Sequence, residues 1–536
     1  MPADWTTLLV LIPLLSGIVT LALSGRRTWQ RRVGTVALVA NLLAAMWALA
    51  TVYAGPGEPP RILVTQMGNW PAPFGISLVL DPLAAMMLAS TAVVVLAVFA
   101  YGVGQFTAQL QGGFFHPLLH FLTLGVQWSI LTGDLFNLFV GFEIMLMASY
   151  CLLVQGTTRP QMRHAYKYVL LNLFSSLLFV TCCGLIYGHT GTLNLADLAR
   201  LDLTAQLPPA STPVFAVLLV VFGLKSAVFP LWFWLPDAYP TMPAGLGGLF
   251  AGLLTKVGAY VVVRTFVMTF GSGAVADAVT PLLLVTAAVT MFVGVLGAVS
   301  MMSVRRILSV HVISQVGYMV LGAGLALAAA KGTDARSLVV AGTVFFIVHN
   351  MVVKTCLFLC AGLIRHHGGS DDLHDVGGLL AKAPWLATLF LIAALSLAGL
   401  PPLSGFFGKF VLLREAFAGG HWVLAGVAIA TSLLTLTSML KIWCYGFWSP
   451  AKSRPLPPGR TRGVALGTFA VSMLVCVALS MGLFANVYFD LARAAAAPVA
   501  DPALYVRAVL GDVPTAPPVG PPVVAAAVPE LPEAAR

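Results

Sequence analysis

Five lysines and one glutamate lie within apolar stretches of this chain that are long enough to form membrane helices. They are Lys225, Lys256, Lys354, Lys409 and Lys441, with Glu143 as the carboxylate. A charged side chain at the centre of a bilayer costs roughly 2.5–3.5 kcal/mol on insertion scales, so such residues are usually kept for a function. Because lysine can release and regain a proton, the row predicts a proton path.

Glu143 and Lys225 are the first candidates for a coupled pair. Each lies near the middle of its apolar stretch, Glu143 in LFVGFEIMLMASY and Lys225 in LLVVFGLKSAVFP. Burial disfavours the ammonium form of a lysine, whereas a nearby carboxylate favours it. Movement of Glu143 relative to Lys225 would therefore switch the protonation of the lysine. The alternatives are a static ion pair and a neutral carboxylic acid bonded to a neighbouring helix.

Two further lysines lie at mid-depth with companions that fit a relay. Lys256 follows Gly248 and Gly252, a spacing that favours close helix packing. Lys354 lies five residues after His349 in an otherwise apolar segment. Neither lysine is near enough to the end of its span to extend to the headgroups, and both are predicted to carry protons.

The remaining candidates are ranked by depth. Lys409 lies in the later half of its span and is predicted as an exit site, whereas Lys441 is close enough to a helix end to snorkel. His311 opens a span after SVRRILSV and could relay protons near neutral pH, with a structural histidine as the alternative. His116 and His120, in FHPLLHFL, are weaker candidates.

Composition places these residues in a polytopic helical membrane protein. The chain has 536 residues, of which 59% are hydrophobic and 9% charged, and its mean hydropathy is +0.93. The net charge of +10 and pI of about 9.4 could suggest a nucleic-acid partner. The charges, however, form short clusters between apolar runs and no basic face with interleaved aromatics, so we expect a lipid bilayer and no nucleic acid.

Apolar runs of roughly 17–25 residues predict fourteen transmembrane helices. They lie at about 5–23, 34–53, 78–101, 116–132, 135–154, 167–188, 213–235, 245–266, 277–301, 307–330, 338–363, 384–418, 423–447 and 463–486. The seventh contains Pro230 and the twelfth contains Pro401 and Pro402. Proline removes a backbone donor and clashes with the preceding turn, so both helices are predicted to be broken.

The two proline-broken spans stand five helices apart, which predicts an inverted repeat because an odd number of spans reverses direction. The repeats would be helices four to eight (116–266) and nine to thirteen (277–447). Helices one to three occupy 1–115 and helix fourteen occupies 463–486. The tail at 487–536 is low in complexity beyond about 514 and predicted disordered there.

The basic residues predict an orientation. GRRTWQRR follows the first span and is assigned to the cytoplasm, because cytoplasmic loops are enriched in Lys and Arg. The other loops on that side then carry most of the loop charges, while Arg264, at the end of the eighth span, counts with the opposite side. Both termini are predicted to lie outside.

The sequence predicts no cofactor, no metal and no enzymatic activity. GFFGK is no phosphate loop, since Phe410 stands where that motif needs Ser or Thr. No GxGxxG after a strand and no haem or iron–sulfur ligand set appears, and the seven cysteines form no CxxC. The chain is therefore expected neither to use ATP nor to carry electrons.

Five segments in fixed order resemble a known family. FVGFEIMLMASY, GLKSAVFPLWFWLPDAYPTMPA, LLTKVGAY, HVISQVGYM and LAGLPPLSGFFGKF resemble the proton-conducting antiporter-like subunits shared by Mrp-type cation/proton antiporters and respiratory complex I. The resemblance covers about residues 60–512. It implies a fourteen-helix core with inverted repeats, Glu143 and Lys225 as the coupling pair, Lys256 and His311 as central relays, and Lys409 as the terminal lysine.

Two branches of the family remain open. TSMLKIWCYGFW and DPALYVRAVLG are similar to the Mrp branch, which implies a subunit of a multisubunit Na⁺/H⁺ antiporter in a prokaryotic cell membrane. Its partners would include a larger homologous A-type subunit and small helical subunits. The alternative is an N-type proton-pumping subunit of NADH:quinone oxidoreductase or a related membrane hydrogenase, which also carries lysine at the position of Lys409. A structural scaffold without transport is a third possibility that the buried charges disfavour.

Overall fold

Helices make up most of the described chain. The structure is a computed structural model that describes residues 4–155, 158–271, 273–330, 332–450 and 461–511. The predicted disorder beyond about residue 514 lies outside these residues.

The α-helices are numbered in chain order. They are α1 (Asp4–Ala22), α2 (Arg27–Val52), α3 (Pro82–Gln105), α4 (Ala108–Gly112), α5 (Phe115–Leu131), α6 (Leu135–Val154), α7 (Arg159–Thr190), α8 (Leu195–Leu203), α9 (Thr212–Ser226), α10 (Leu235–Ala238), α11 (Ala244–Val262), α12 (Ala274–Ser300), α13 (Val304–Ala328), α14 (Asp334–Gly368), α15 (Leu379–Lys382), α16 (Pro384–Ala398), α17 (Ser404–Ala418), α18 (Trp422–Trp443), α19 (Thr461–Leu483), α20 (Ala485–Ala500) and α21 (Pro502–Leu510).

Twelve of the fourteen predicted spans each coincide with one helix, the seventh is an α-helix only as far as Ser226, and the twelfth divides into two helices. Eleven helical segments in the described residues are long and apolar enough to cross a membrane. Helices α1, α5, α16 and α17 are shorter, with 17–19 residues in the first two and 15 in each of the others. The polytopic helical fold is therefore confirmed, while the number of fourteen spans stays a prediction.

Both predicted helix breaks are present. The seventh span stops where α9 ends at Ser226, because Ala227 adopts a left-handed conformation with φ of 61°. The twelfth span divides into α16 and α17 around Gly399, with φ of 90°, and the two prolines that follow it. Glycine adopts this backbone conformation without steric cost. The last carbonyls of α9 and α16 are consequently free to bind side chains within the membrane region.

A second feature also recurs at an interval of five spans. Helix α11 continues into a π-helical segment at Val263–Thr269, and α18 continues into another at Cys444–Trp448. These are the eighth and thirteenth predicted spans, each following a broken one. The recurrence supports the inverted repeat, which remains a prediction.

Two parts of the chain differ from the sequence prediction. Strand β1 (Leu63–Gln66) pairs antiparallel with β2 (Ser77–Leu80), with Leu63 opposite Leu80. The third helix therefore begins at Pro82, later than the predicted start at 78, after Asp81 accepts a hydrogen bond from the Ala84 amide. In the predicted tail, α20 and α21 form two packed helices with buried residues.

A buried ion pair holds these parts together. Arg264 donates to both carboxylate oxygens of Asp81 at 2.6 and 2.8 Å, and the two side chains are 4% and 0% exposed. The guanidinium also lies 5.4 Å from the rings of Tyr260 and Tyr505. Arg264, which the sequence places as a borderline residue on the side opposite the cytoplasm, is therefore buried in an ion pair. Its partner lies 183 residues away in sequence, so spacing alone could not reveal it.

Candidate proton path

Lys225 lies in the last turn of α9, at the break of that helix. Its side chain is 4% exposed, and Nζ donates to the Asn172 carbonyl at 3.2 Å and to Ser176 Oγ at 3.0 Å, both on α7. The ring of Phe142 lies 5.9 Å from Nζ. Because the helix ends at the residue after Lys225, the surrounding backbone can shift with little loss of helical hydrogen bonding.

Glu143 is close to Lys225 but does not contact it. The carboxylate interacts electrostatically with the lysine, yet no ion pair within 4.0 Å joins them in the described structure. Glu143 Oε1 is buried without a hydrogen-bond partner in the protein. The static ion pair considered from the sequence is therefore absent from this conformation. An arrangement that is near but unpaired is what a movable coupling pair requires.

Helices α11 and α14 approach each other closely at the two predicted glycines. A Cβ at Gly248 would lie 3.3 Å from the Thr355 carbonyl, and a Cβ at Gly252 would lie 3.0 Å from the Met351 carbonyl. Lys256, one turn further along α11, is 0% exposed and donates to the Ala251 carbonyl at 2.6 Å. The close packing brings the helices that carry Lys256 and Lys354 side by side.

Lys354 is the least satisfied of the five lysines. It is 0% exposed, and its Nζ has no hydrogen-bond partner in the protein. It interacts electrostatically with Lys256 and Lys409. A buried ammonium without a partner is costly, so this group must either release its proton or bind water. Both options suit a relay between its two neighbours.

His349 and Lys409 meet at the break between α16 and α17. His349 Nδ1 lies 2.8 Å from the hydroxyl of Ser404, the first residue of α17. Lys409 Nζ donates at 3.0 Å to both the Leu397 and Ala398 carbonyls, which end α16. The partial negative charge of a helix C-terminus stabilises a cation there. The break thus builds a binding place for the lysine ammonium.

His311 and Lys441 occupy different surroundings. His311 Nε2 lies 2.5 Å from Ser438 Oγ, and the imidazole interacts electrostatically with Lys354, Lys409 and Lys441. Lys441 is only partly buried and donates to the Val299 and Met301 carbonyls at the end of α12. Its contacts are those of a helix cap, so the structure favours an anchoring role for Lys441.

Seven predicted residues are buried or partly buried within the helices, and together they are here named the central polar axis. They are Glu143, Lys225, Lys256, Lys354, His349, His311 and Lys409. The hydroxyl groups that hold them, above all Ser176, Ser404 and Ser432, are not among the residues predicted from the sequence. Neither Ser176 nor Ser432 stands beside a lysine or a proline in the sequence, so no local signal marked them. Within the described residues, no group of three or more His, Cys, Asp or Glu side chains could hold a metal ion.

The contact between α9 and α11 gives a first prediction. A Cβ at Gly258 would lie 2.5 Å from Ser226 Oγ and 2.9 Å from the Ser226 amide, next to Lys225. We expect Gly258→Ala to destabilise the protein by about 1–3 kcal/mol because the core has no room for the methyl group. Thermal unfolding of the purified protein measures the effect. Gly184→Ala, with no atom within 4 Å of the added carbon, is the matched control and should unfold like wild type. Equal stability of the two variants would contradict the close contact.

Comparison with known proteins gives the family. A sequence model described as "NADH:quinone oxidoreductase/Mrp antiporter, TM" matches residues 132–435, which include every member of the central polar axis. The D-type Na⁺/H⁺ antiporter subunit of Alkalihalophilus pseudofirmus is 41% identical over 505 residues, covering 94% of this chain and 98% of that protein. The chain belongs to this family.

Solved structures agree with the family assignment. A chain in the structure of the Mrp complex from Dietzia sp. is 33% identical, with a TM-score of 0.85, and the match covers 95% of this chain and 99% of that one. A chain of the archaeal membrane-bound sulfane sulfur reductase, a respiratory membrane complex, is 26% identical, with a TM-score of 0.84 and coverages of 94% and 99%. The family fold is thus found in both antiporter and respiratory assemblies.

Proposed function

We propose that this chain is the proton-carrying subunit of a multisubunit monovalent cation/proton antiporter that exchanges Na⁺ for H⁺. The observation that carries the proposal is the central polar axis, in which four lysines with 0–4% exposure lie within the apolar helices. Ionisable groups at membrane depth are costly, so a protein that keeps four of them is expected to use them for transport. The Na⁺/H⁺ exchange itself rests on the likeness to the 41% identical antiporter subunit.

The proposed mechanism begins at the two unpaired charges. When Glu143 approaches Lys225, the ammonium form is stabilised and the lysine takes up a proton. When Glu143 withdraws, burial makes the ammonium unfavourable, and the proton passes on to Lys256. Lys354 and His349 relay it to Lys409, whose ammonium is held by the two carbonyls that end α16. Water bridges the intervals that direct hydrogen bonds do not span.

The assembly is part of the same proposal. The relative is named as a subunit, and the similar solved chain belongs to an Mrp complex, so this chain is proposed to join a larger A-type subunit and small helical subunits. Its place is the cell membrane of a prokaryote, with both termini outside, because the loops assigned to the cytoplasm hold most of the basic residues.

The second candidate function is proton pumping within a respiratory complex, as an N-type subunit. The similarity to the archaeal sulfane sulfur reductase chain favours it. Purification of the native complex separates the two: an antiporter contains no redox-active subunit, whereas a respiratory complex copurifies with iron–sulfur centres that are visible by electron paramagnetic resonance.

The function is tested by measuring whether this chain alone transports the metal cation or only the proton. An ammonium repels an alkali cation by roughly 4 kcal/mol at 4 Å when the effective dielectric constant is near 20. The axis has one carboxylate against four lysines, so it suits protons and excludes Na⁺ and K⁺. We therefore expect the purified chain in liposomes to show no Na⁺ or K⁺ flux, measured with ion-sensitive dyes.

The whole complex in the same liposomes is the positive control. It should exchange Na⁺ for H⁺, and the complex assembled without this chain should not. Cation uptake by the isolated chain that is lost in Glu143→Gln would place the metal path in this subunit. That result would refute the proposal that this chain carries protons and no metal cation.

A further inference from the structure

A row of polar side chains lines one face of α5, outside the central polar axis. His116, His120, Thr123 and Gln127 follow each other at intervals of three or four residues, which places them on one side of the helix. Their side chains are 0–1% exposed. The family match begins at residue 132, so none of these residues lies within it.

Helices α1 and α2 present polar groups to the same face. Ser16 Oγ lies 3.0 Å from His120 Nδ1, and Asn41 Oδ1 accepts from Gln127 Nε2 at 3.1 Å. On α2, Gln30 donates to the Thr20 carbonyl of α1 at 2.9 Å. At Gly34 the helices pack closely, since a Cβ there would lie 2.9 Å from the Phe99 ring and 3.5 Å from His120 Nε2. These polar groups are named the N-terminal polar file: Ser16, Gln30, Asn41, His116, His120, Thr123 and Gln127.

Much of the hydrogen-bonding capacity in this file is unused. Six buried atoms have no partner in the protein: both ring nitrogens of His116, His120 Nε2, Gln30 Oε1, Asn41 Nδ2 and Gln127 Oε1. Buried polar atoms in proteins are almost always bonded, because leaving one unsatisfied costs free energy. Six such atoms on the neighbouring helices α2 and α5 indicate that small polar molecules bind between these helices.

The chemistry of these atoms selects the ligand. They include an amide donor, two amide acceptors and imidazole nitrogens that serve as either, and the file contains no carboxylate. Water both donates and accepts, and a buried water needs two to four such partners. An alkali cation needs converging oxygens and compensating charge, which this file does not supply. The file therefore fits a row of water molecules.

The file is separate from the central polar axis. Helix α6, which carries Glu143, packs on a different face of α5, where a Cβ at Gly125 would meet the Met145 backbone and one at Gly141 would meet Ser129. At the start of α2, Arg31 bonds Gln111 Oε1 at 3.1 Å and interacts electrostatically with His116. The file thus begins beside a charged helix end and extends toward Gln127.

We propose that the N-terminal polar file holds a row of water molecules and that the His116–His120 pair passes protons along it, as a second proton path in this subunit. The presence of the water molecules is independent of the proposed function, whereas the transfer of protons along them rests on it. Imidazole suits the task because one nitrogen can accept a proton while the other releases one.

Hydroxyl-radical labelling of the assembled complex, read by mass spectrometry, tests the water part, because radicals formed from bound water oxidise adjacent side chains. Met87 on α3 is the dry control, since it is 0% exposed and methionine oxidises readily. Exposed His189 is the wet control. We expect His116 and His120 to be labelled at least roughly ten-fold faster than Met87. Labelling at the rate of Met87 would overturn the proposal.

Variants of His120 test the proton part. We expect His120→Leu and His120→Gln each to lower the antiport rate of the assembled complex by roughly ten-fold or more, since neither side chain can exchange a proton at this position. His120→Gln keeps hydrogen-bonding capacity, so it should retain labelling at His116. Thr91→Val, which removes a buried hydroxyl bonded within its own helix, is the matched control and should keep wild-type antiport.

The outcomes separate this proposal from the proposed function. Full antiport by His120→Gln with normal assembly would refute the second proton path. If the complex with His120→Leu does not assemble, the antiport rate of His120→Gln still tests the second proton path. Glu143→Gln should lose antiport while His116 and His120 keep their labelling. Full antiport in Glu143→Gln would refute the proposed role of the central polar axis but would not affect the proposal that the N-terminal polar file is hydrated.

Discussion

Replacing Glu143 by Gln, or Lys225 by Ala, is expected to lower cation-driven proton exchange by roughly 100-fold or more, because each change removes one member of the proposed coupling pair. A glutamine in place of Glu143 could not change the charge beside Lys225, and an alanine in place of Lys225 could not take up a proton. Complex assembly should persist, since Lys225 contributes hydrogen bonds only to the Asn172 carbonyl and Ser176 Oγ. Fluorescence dequenching in everted vesicles measures the exchange, and immunoblotting measures the assembly.

A surface ion pair involving α7 provides the control. Lys167 on α7 bonds Asp237 at 2.7 Å, with the two side chains 43% and 41% exposed. Such exposed pairs contribute about 0–1 kcal/mol, so Lys167→Ala should leave exchange and assembly unchanged. Wild-type exchange by either Glu143→Gln or Lys225→Ala at normal protein levels would remove the pair from the mechanism.

Lys409→Ala is expected to impair transport by roughly 100-fold, whereas Lys441→Ala should change it by no more than about three-fold. The two lysines differ in surroundings, although both donate to carbonyls at a helix end. Lys409 is 3% exposed, and its Nζ also donates to Ser432 Oγ at 3.1 Å and lies 4.9 Å from the Tyr318 ring. Lys441 is partly exposed and interacts with the end of α12. Vesicle exchange rates, normalised to protein level, give the ranking.

Arginine substitutions distinguish a proton carrier from a fixed positive charge. Arginine keeps the charge and the donors but does not release its proton in proteins. Lys409→Arg should therefore remain as impaired as Lys409→Ala while its complex assembles, and Lys441→Arg should behave like wild type. Equal losses of exchange at Lys409 and Lys441 would contradict the ranking. Full exchange by Lys409→Arg would show that Lys409 acts as a fixed positive charge and does not carry a proton.

The candidate site was largely predictable because its members stand out chemically in their surroundings. A lysine in an apolar span is visible in the sequence, and so are the prolines that break the spans of Lys225 and Lys409. The hydroxyls that hold these lysines were not predictable, because Ser and Thr occur in many membrane helices without special roles. Only the tertiary structure shows that Ser176 and Ser432 accept hydrogen bonds from Lys225 and Lys409.

The sequence by itself determined the helical membrane class and both helix breaks, and it located the ionisable residues within the apolar helices. Each follows from a local cost: apolar length fits the bilayer, proline ends a helix, and a buried charge must be useful. Only the tertiary structure decided that Glu143 stands apart from Lys225, that Asp81 pairs with Arg264, and that His120 faces a polar group of another helix. These are contacts between residues distant in the chain, and they depend on how the helices pack, which the pattern within a single helix does not specify.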